Sequence, residues 1–184
     1  MSSPAAATVS VRNVLRRFRR NRQGSTAVEF ALVAPLFFAI LFAIIEAALV
    51  FFAGQLLELG TAESARLMMT HQAQDSGMTE TAFKTDLCNR IKVMFNCNGN
   101  LGSITVDVKV FTPGTAITIT DPIVSGSLTG PFSYSLPPSG SPNTIVVRAF
   151  YKWPLFVTGL GFNLANLSGS QRLLAATAAF HIEP

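Results

Sequence analysis

Hydrophobic residues fill the chain from Ala27 to Ala53, and only Glu29 and Glu46 interrupt this run with a charge. A helix rises 1.5 Å per residue, so about 20 residues cross a hydrocarbon core roughly 30 Å thick. A removable secretory signal would have an apolar region of about 7–15 residues with its small-residue cleavage site behind it. Here the run is longer and Gly24 precedes it. We therefore predict a membrane-spanning and assembly helix over 25–53.

A weaker helical pattern follows the apolar run. Beyond residue 54, small and apolar residues recur at three- and four-residue steps, which is typical of one face of a helix. We predict that the same helix leaves the membrane, continues along this stripe and ends at Asp75-Ser76-Gly77. The stripe consists of Leu56, Leu59, Ala62, Ala65 and Met69.

A second, shorter helix is predicted from Thr79 to about Phe95. Thr79 suits the N-cap position because its side-chain oxygen can accept a hydrogen bond from a free backbone N–H, and Glu80 follows in the first turn. Apolar residues then recur at four-residue steps, which indicates an amphipathic helix with one buried face. These residues are Phe83, Leu87, Ile91 and Phe95.

The remainder of the chain has the two-residue period of β-strands. Apolar and polar residues alternate strictly over 104–110, and a second candidate strand covers 116–120. A third strand is predicted over 144–152, where Trp153-Pro154 ends it. We expect these strands to pair in a small antiparallel sheet.

Two Gly-rich loops, 121–143 and 155–170, separate the later elements. Residues 171–182 are rich in alanine and compatible with a helix, but the sheet would then lack a closing partner, so we predict a final strand. The expected fold class is α+β: a long N-terminal pilin-like helix, transmembrane in its first half, packed on a small antiparallel sheet with one additional short helix.

Charge is distributed unevenly along the 184 residues. Six of the fourteen basic residues precede Gly24, and no acidic residue does, which leaves eight basic against ten acidic residues in the remainder. A basic flank beside an apolar span is typical of the cytoplasmic side. We therefore predict a cytoplasmic leader (1–24) that is cleaved, the helix of 25–53, and an extracytoplasmic α+β domain (54–184). The same distribution argues against nucleic acid as a partner.

The two cysteines, Cys88 and Cys97, are too few to form a zinc site, and the two histidines are remote in sequence. If the C-terminal domain is exported, a local disulfide is expected, since oxidising compartments favour it. In the chain-entropy model such a small loop stabilises the fold by roughly 2–3 kcal/mol. The alternative is two free thiols in a reducing interior.

Glu29 stands at the start of the apolar run, where an isolated carboxylate costs about 2–3 kcal/mol. Cleavage between Gly24 and Ser25 would create an α-amino group with a pKa near 7.7–8.0. In a bundle of parallel helices this terminus can meet Glu29 of a neighbouring subunit, and the low dielectric strengthens the pair. Glycine at the cut lets a peptidase approach the backbone closely. The alternative is a carboxylate facing headgroup water; the spacing from Gly24 to Glu29-Phe30 favours pairing.

Other polar residues carry weaker expectations. Glu46 either pairs inside a helix bundle or lies near the outer membrane interface, and we expect the latter. Asp107 and Asp121 are interpreted as ordinary polar-face and turn residues, and His71 and His181 as surface or hydrogen-bonded histidines. The sequence contains no recognised catalytic or phosphate-binding motif, so we predict neither an enzyme nor a bound metal or cofactor.

The run from Gly24 to Phe30 resembles the processing site of the TadE-like pseudopilins, minor pilins of the Tad (Flp, tight-adherence) pilus system. In that family a glycine precedes the cut, and Glu-Phe or Glu-Tyr occupies the fifth and sixth mature positions. The Arg-rich leader, residues 31–35 and 62–66, and the two cysteines also look like that family. The resemblance covers about residues 12–70, and the C-terminal domain matches only in outline, through Tyr151, Trp153-Pro154 and the closing Ala-rich strand.

The resemblance implies cleavage by a dedicated prepilin peptidase and a minor-pseudopilin role in pilus assembly, which supports adhesion and secretion. It implies TadF-like and major Flp pilins and a pilus assembly platform as partners. The major Flp pilin is far shorter, which argues against a bulk fibre subunit. The expected location is the bacterial cytoplasmic (inner) membrane, single-pass, with the C-terminal domain periplasmic. Two alternatives are an uncleaved scaffold of the secretion machine and an adhesin displayed at the pilus tip.

Overall fold

The computed structural model describes residues 24–97, 104–138, 143–158 and 162–182. Its longest element is helix α1, Ser25–Met69, which confirms the predicted long N-terminal helix. The chain divides into two compact units, one ending at Phe42 and the other comprising Ala43–Pro184. We call the second unit the body. The body therefore includes the last 27 residues of α1.

The buried face of α1 differs from the predicted stripe. Of the predicted residues, Leu59 and Met69 are exposed, and Ala65 is buried. The helix packs through a face shifted by one residue, which is rich in small side chains because another helix approaches it closely. Its buried residues are Glu46, Val50, Ala53, Leu57, Gly60, Thr61, Ser64, Ala65 and Met68.

At Gly60 the neighbouring helix comes close to the backbone of α1. A Cβ atom added there would overlap Cγ2 of Ile91 and lie 3.2 Å from Cδ1 of Leu87, whereas one added at Gly54 on the same helix would have no neighbour within 4 Å. Overpacking a core costs about 1–3 kcal/mol, and replacing a helical glycine by alanine gains at most about 1 kcal/mol. We expect Gly60→Ala to lower, and Gly54→Ala to preserve or raise, the urea midpoint of the body. Equal midpoints in both variants would contradict the close packing.

Helix α1 ends earlier than predicted. His71, two residues after the last helical residue, adopts a left-handed conformation (φ 61°), and a single turn, α2 (Gln72–Asp75), follows. The predicted stop at 75–77 is instead the end of this turn, where Gly77 has φ 60° and Met78 N–H donates to the carbonyl of Ala73. The helix ends early because the left-handed conformation of His71 stops it before the polar residues 75–77.

The second predicted helix is α3, Glu80–Ile91. Thr79 caps it as predicted, since its Oγ1 accepts a hydrogen bond from Ala82 N at 3.2 Å. The four apolar residues at four-residue steps are all buried, although Phe95 lies in a turn beyond the helix end. Cys88 and Cys97 form the expected disulfide, with their Cα atoms 5.8 Å apart.

The main sheet has three antiparallel strands in the order β1-β4-β5. Strand β1 is Ile104–Phe111, β4 is Thr144–Pro154 and β5 is Gln171–His181, so the predicted closing strand is confirmed. Strand β4 also includes Trp153 and Pro154, which lie opposite Arg172 and Gln171 of β5. One face of this sheet packs on α1 and α3, and the α+β fold class is confirmed.

Residues 116–120 do not form the predicted strand. They are exposed, and the second edge of β1 is paired instead with the segment around Tyr134, through hydrogen bonds of the Val108 backbone to Ser133 and Ser135. Burial raises the pKa of Tyr134 to about 12, with a smaller contribution from the negative charge of Glu80. A pattern of alternation predicts a strand only where a free edge is available to pair with it.

The described part of the predicted loop, residues 121–138, packs against the second face of the sheet. It contains a two-stranded ladder, β2 (Ile123–Val124) with β3 (Ser127–Leu128), and it contributes to a second apolar cluster around Phe150. Asp121 is a turn residue as predicted, because its Oδ1 accepts a hydrogen bond from Ile123 N at 2.8 Å.

The interpretation of Asp107 as an ordinary polar-face residue is wrong. The loop buries the outer face of β1, so Asp107 is only 1% exposed and faces Arg148 on β4, which is 5% exposed. Arg148 Nη2 lies 2.6 Å and Nε 3.1 Å from Asp107 Oδ2. Ser133 N–H donates to Asp107 Oδ1 at 3.0 Å, and Arg148 Nη1 donates to the Thr120 carbonyl at 3.0 Å. The pair ties both strands to the loop above them.

Candidate processing site and membrane helix

The predicted cleavage point lies at the exposed beginning of α1. Gly24 precedes the first helical residue, Ser25, and both residues are exposed. A Cβ atom at Gly24 would have no neighbour within 4 Å, so the backbone here is open to an approaching enzyme. No described residue therefore covers the backbone at the predicted cut.

Ser25 and Glu29 lie on the same helix face, one turn apart. Ser25 Oγ donates to Glu29 Oε1 at 3.3 Å, a long and exposed hydrogen bond. Among the described residues this is the only partner of the carboxylate. Phe30, the next residue, is exposed. The structure thus places Ser25 beside Glu29 within one subunit, and it leaves the carboxylate free to accept stronger donors.

Large apolar side chains cover the exposed surface of α1 beyond this site. The helix is long and apolar enough to cross a membrane, and most of that stretch is not covered by protein. Burying such a surface in lipid is favourable, whereas in water it would be an aggregation hazard. The exposed residues are Val28, Phe30, Leu32, Val33, Leu36, Phe37, Phe38, Ile40, Leu41, Phe42, Ile44, Ile45, Leu49, Phe51 and Phe52.

Glu46, which we expected near the outer membrane interface, is buried among residues of the body. It is 7% exposed and accepts hydrogen bonds from two successive backbone N–H groups after β4. Phe156 N–H donates to Oε1, and Val157 N–H lies 3.1 Å from Oε1 and 3.2 Å from Oε2. The carboxylate is therefore satisfied inside the body. No sequence signal links Glu46 to Phe156, because 110 residues separate them.

Residues 24–66 match the family model described as TadE-like protein. This part of the chain is similar to TadE-like proteins. The match begins at Gly24, runs through the apolar part of α1 and ends three residues before the helix does, which confirms the resemblance predicted from Gly24–Phe30. It is consistent with a TadE-like protein of the Tad pilus system.

No curated protein and no solved structure shows significant similarity to the chain. The TadE-like family suggests a Tad pilus-related component that interacts with other pilus components. One apolar N-terminal helix agrees with a membrane-anchored component of this kind.

Proposed function

We propose that this protein is a minor pseudopilin of a Tad/Flp-type pilus, and that a prepilin peptidase cleaves it between Gly24 and Ser25. The observation that carries the proposal is the start of the TadE-like match at an exposed glycine, one residue before an apolar helix. The protein acts in this scheme as the substrate of an enzyme and not as an enzyme itself. The basic leader stays in the cytoplasm, and the domain that begins at residue 54 emerges on the opposite side of the membrane.

The second part of the proposal concerns Glu29. Its hydrogen bond to Ser25 Oγ is long and exposed, so the carboxylate loses little by changing partner. After cleavage, the α-amino group at Ser25 is a charged donor, and charge-assisted hydrogen bonds are about twice as strong as neutral ones. Neighbouring subunits shifted along the helix axis can form this pair in low dielectric. Any other register leaves a buried charge unpaired, which disfavours it.

N-terminal sequencing of the protein recovered from piliated cells tests the cleavage. We expect the mature chain to begin at Ser25, whereas an intact leader would favour the uncleaved scaffold instead.

Gly24→Ile should abolish processing and piliation together, because a branched side chain blocks close approach to the backbone. Gly24→Ala is the matched control and should retain measurable processing. Glu29→Gln should be processed normally and still lose pili, which separates assembly from cleavage.

A further inference from the structure

The segment that follows β4 lies at the level of Glu46 along α1. Leu155 is buried, but the next residue, Phe156, is 87% exposed although its own backbone is hydrogen-bonded to Glu46. Five and six residues further along the helix, Phe51 and Phe52 are 74% and 61% exposed. At 1.5 Å per residue they lie about 8 Å beyond Glu46.

The exposed apolar surface of α1 therefore continues beyond Glu46, the first helix residue that is buried against the rest of the body. Ile45, Leu49 and both phenylalanines belong to the body and are exposed on the same stretch as Glu46. If lipid covers this exposed apolar surface as far as Phe52, Glu46 lies within the hydrocarbon region. Whatever is bound to Glu46 then shares that depth.

The backbone N–H groups of this segment have acceptors within the protein, as a lipid environment requires. Three successive N–H groups have partners: Leu155 N donates to the Ser170 carbonyl at 2.9 Å, and those of Phe156 and Val157 donate to Glu46. In lipid each unsatisfied backbone group costs several kcal/mol, whereas in water none of these donors needs a protein acceptor. The carboxylate gains equally, because an acid at this depth is tolerated only when it has donors.

We propose that residues 155–158 insert into the leaflet of the bilayer that faces the body, with Phe156 among the acyl chains. We call this segment the foot. Glu46, which holds the segment through two backbone hydrogen bonds, is called its latch. The inference rests on the proposed function, since it requires α1 to be inserted in the membrane. It assigns a lipid-contacting role to the C-terminal half of the chain and a positioning role to Glu46.

Nitroxide labelling of the full-length protein tests the foot. Phe156→Cys is compared with Val93→Cys, an apolar residue after α3 that is equally exposed at 86%. The native cysteines are joined in a disulfide and leave the added thiol as the label site. In phosphatidylcholine–phosphatidylglycerol liposomes at low protein density, the label at 156 should collide more with oxygen than with a water-soluble nickel complex. The label at 93 should show the reverse.

Two results would overturn the foot. One is a label at 156 that is as accessible to nickel as the label at 93. The other is a label shielded from both reagents whose spectrum shows dipolar broadening, which would place Phe156 against a second copy of the chain. Flotation of the same samples shows whether a negative result concerns membrane anchoring or only the foot. Protein that fails to float with the liposomes contradicts membrane anchoring itself, whereas floating protein with a water-exposed label at 156 contradicts only the foot.

The latch is tested in the background of Phe156→Cys. Glu46→Ala leaves the two N–H donors without their acceptor, so the segment should move towards water and the label should gain accessibility to nickel. Glu46→Gln retains a carbonyl acceptor and should keep the label in lipid. Equal depths in both variants would overturn the assignment of Glu46 as the latch.

Discussion

Replacing Asp107 by alanine is expected to lower the free energy of unfolding of the body by about 3–5 kcal/mol, because it leaves Arg148 charged, buried and without its main partner. The guanidinium would keep only the Thr120 carbonyl and the ring of Phe150, 5.3 Å from Cζ. Ser133 N–H would also lose its acceptor. Urea unfolding of the full chain in detergent, followed by the fluorescence of Trp153, measures the change. A loss below about 1 kcal/mol would contradict the burial of this pair.

A matched control is available on α3. Arg90 Nε lies 2.8 Å from Asp86 Oδ2, one helical turn away, so the geometry resembles that of the buried pair. Both side chains are partly exposed, and such pairs contribute about 0.3–0.5 kcal/mol. Asp86→Ala should therefore change stability far less than Asp107→Ala. The double variant Asp107→Leu, Arg148→Met should recover part of the loss, since apolar replacement removes both buried charges together.

Removing the disulfide should have the second-largest effect. Cys88→Ala with Cys97→Ala is expected to lower the free energy of unfolding by about 2–3 kcal/mol through the greater entropy of the unfolded chain. The bridge also holds the turn that carries Phe95, whose ring lies 4.7 Å from that of Tyr151 and 5.7 Å from that of Trp153. The variant should therefore show altered Trp153 fluorescence before unfolding begins.

Reducing agent provides the control for the disulfide. It should destabilise the unmodified protein by a similar amount and leave the double variant unchanged. If both proteins unfold at the same urea concentration with and without reductant, the bridge contributes nothing to stability, and the expected effect is wrong.

Local periodicity explains which elements could be predicted from the sequence. Helix α3 and strands β1, β4 and β5 each bury one face of a regular pattern, and their positions were predicted to within a few residues. The Thr79 cap and the disulfide likewise depend on residues close in sequence. Such features need only the spacing of neighbouring side chains.

The errors arise where distant segments decide the environment. Asp107 has the alternation of an exposed position, and only the loop that crosses β1 buries it. The packing face of α1 was displaced by one residue because Gly60 admits α3 closely, a matter of side-chain size and not of hydropathy. Glu46 was interpreted from its own surroundings, whereas its partners come from a segment 110 residues later. The cleavage site at Gly24-Ser25, by contrast, is inferred from a local motif, and cleavage there stays a prediction.

The long buried contact between α1 and the other elements of the body has a mechanical consequence. Its buried contacts run from Glu46 to Met68, a length of about 33 Å along the helix. If the proposed assembly draws the subunit out of the bilayer, tension along this part of α1 is distributed in shear over the whole contact, with the hydrogen bonds of Glu46 at one end of it. A contact loaded in this way resists more force than one peeled from a single point.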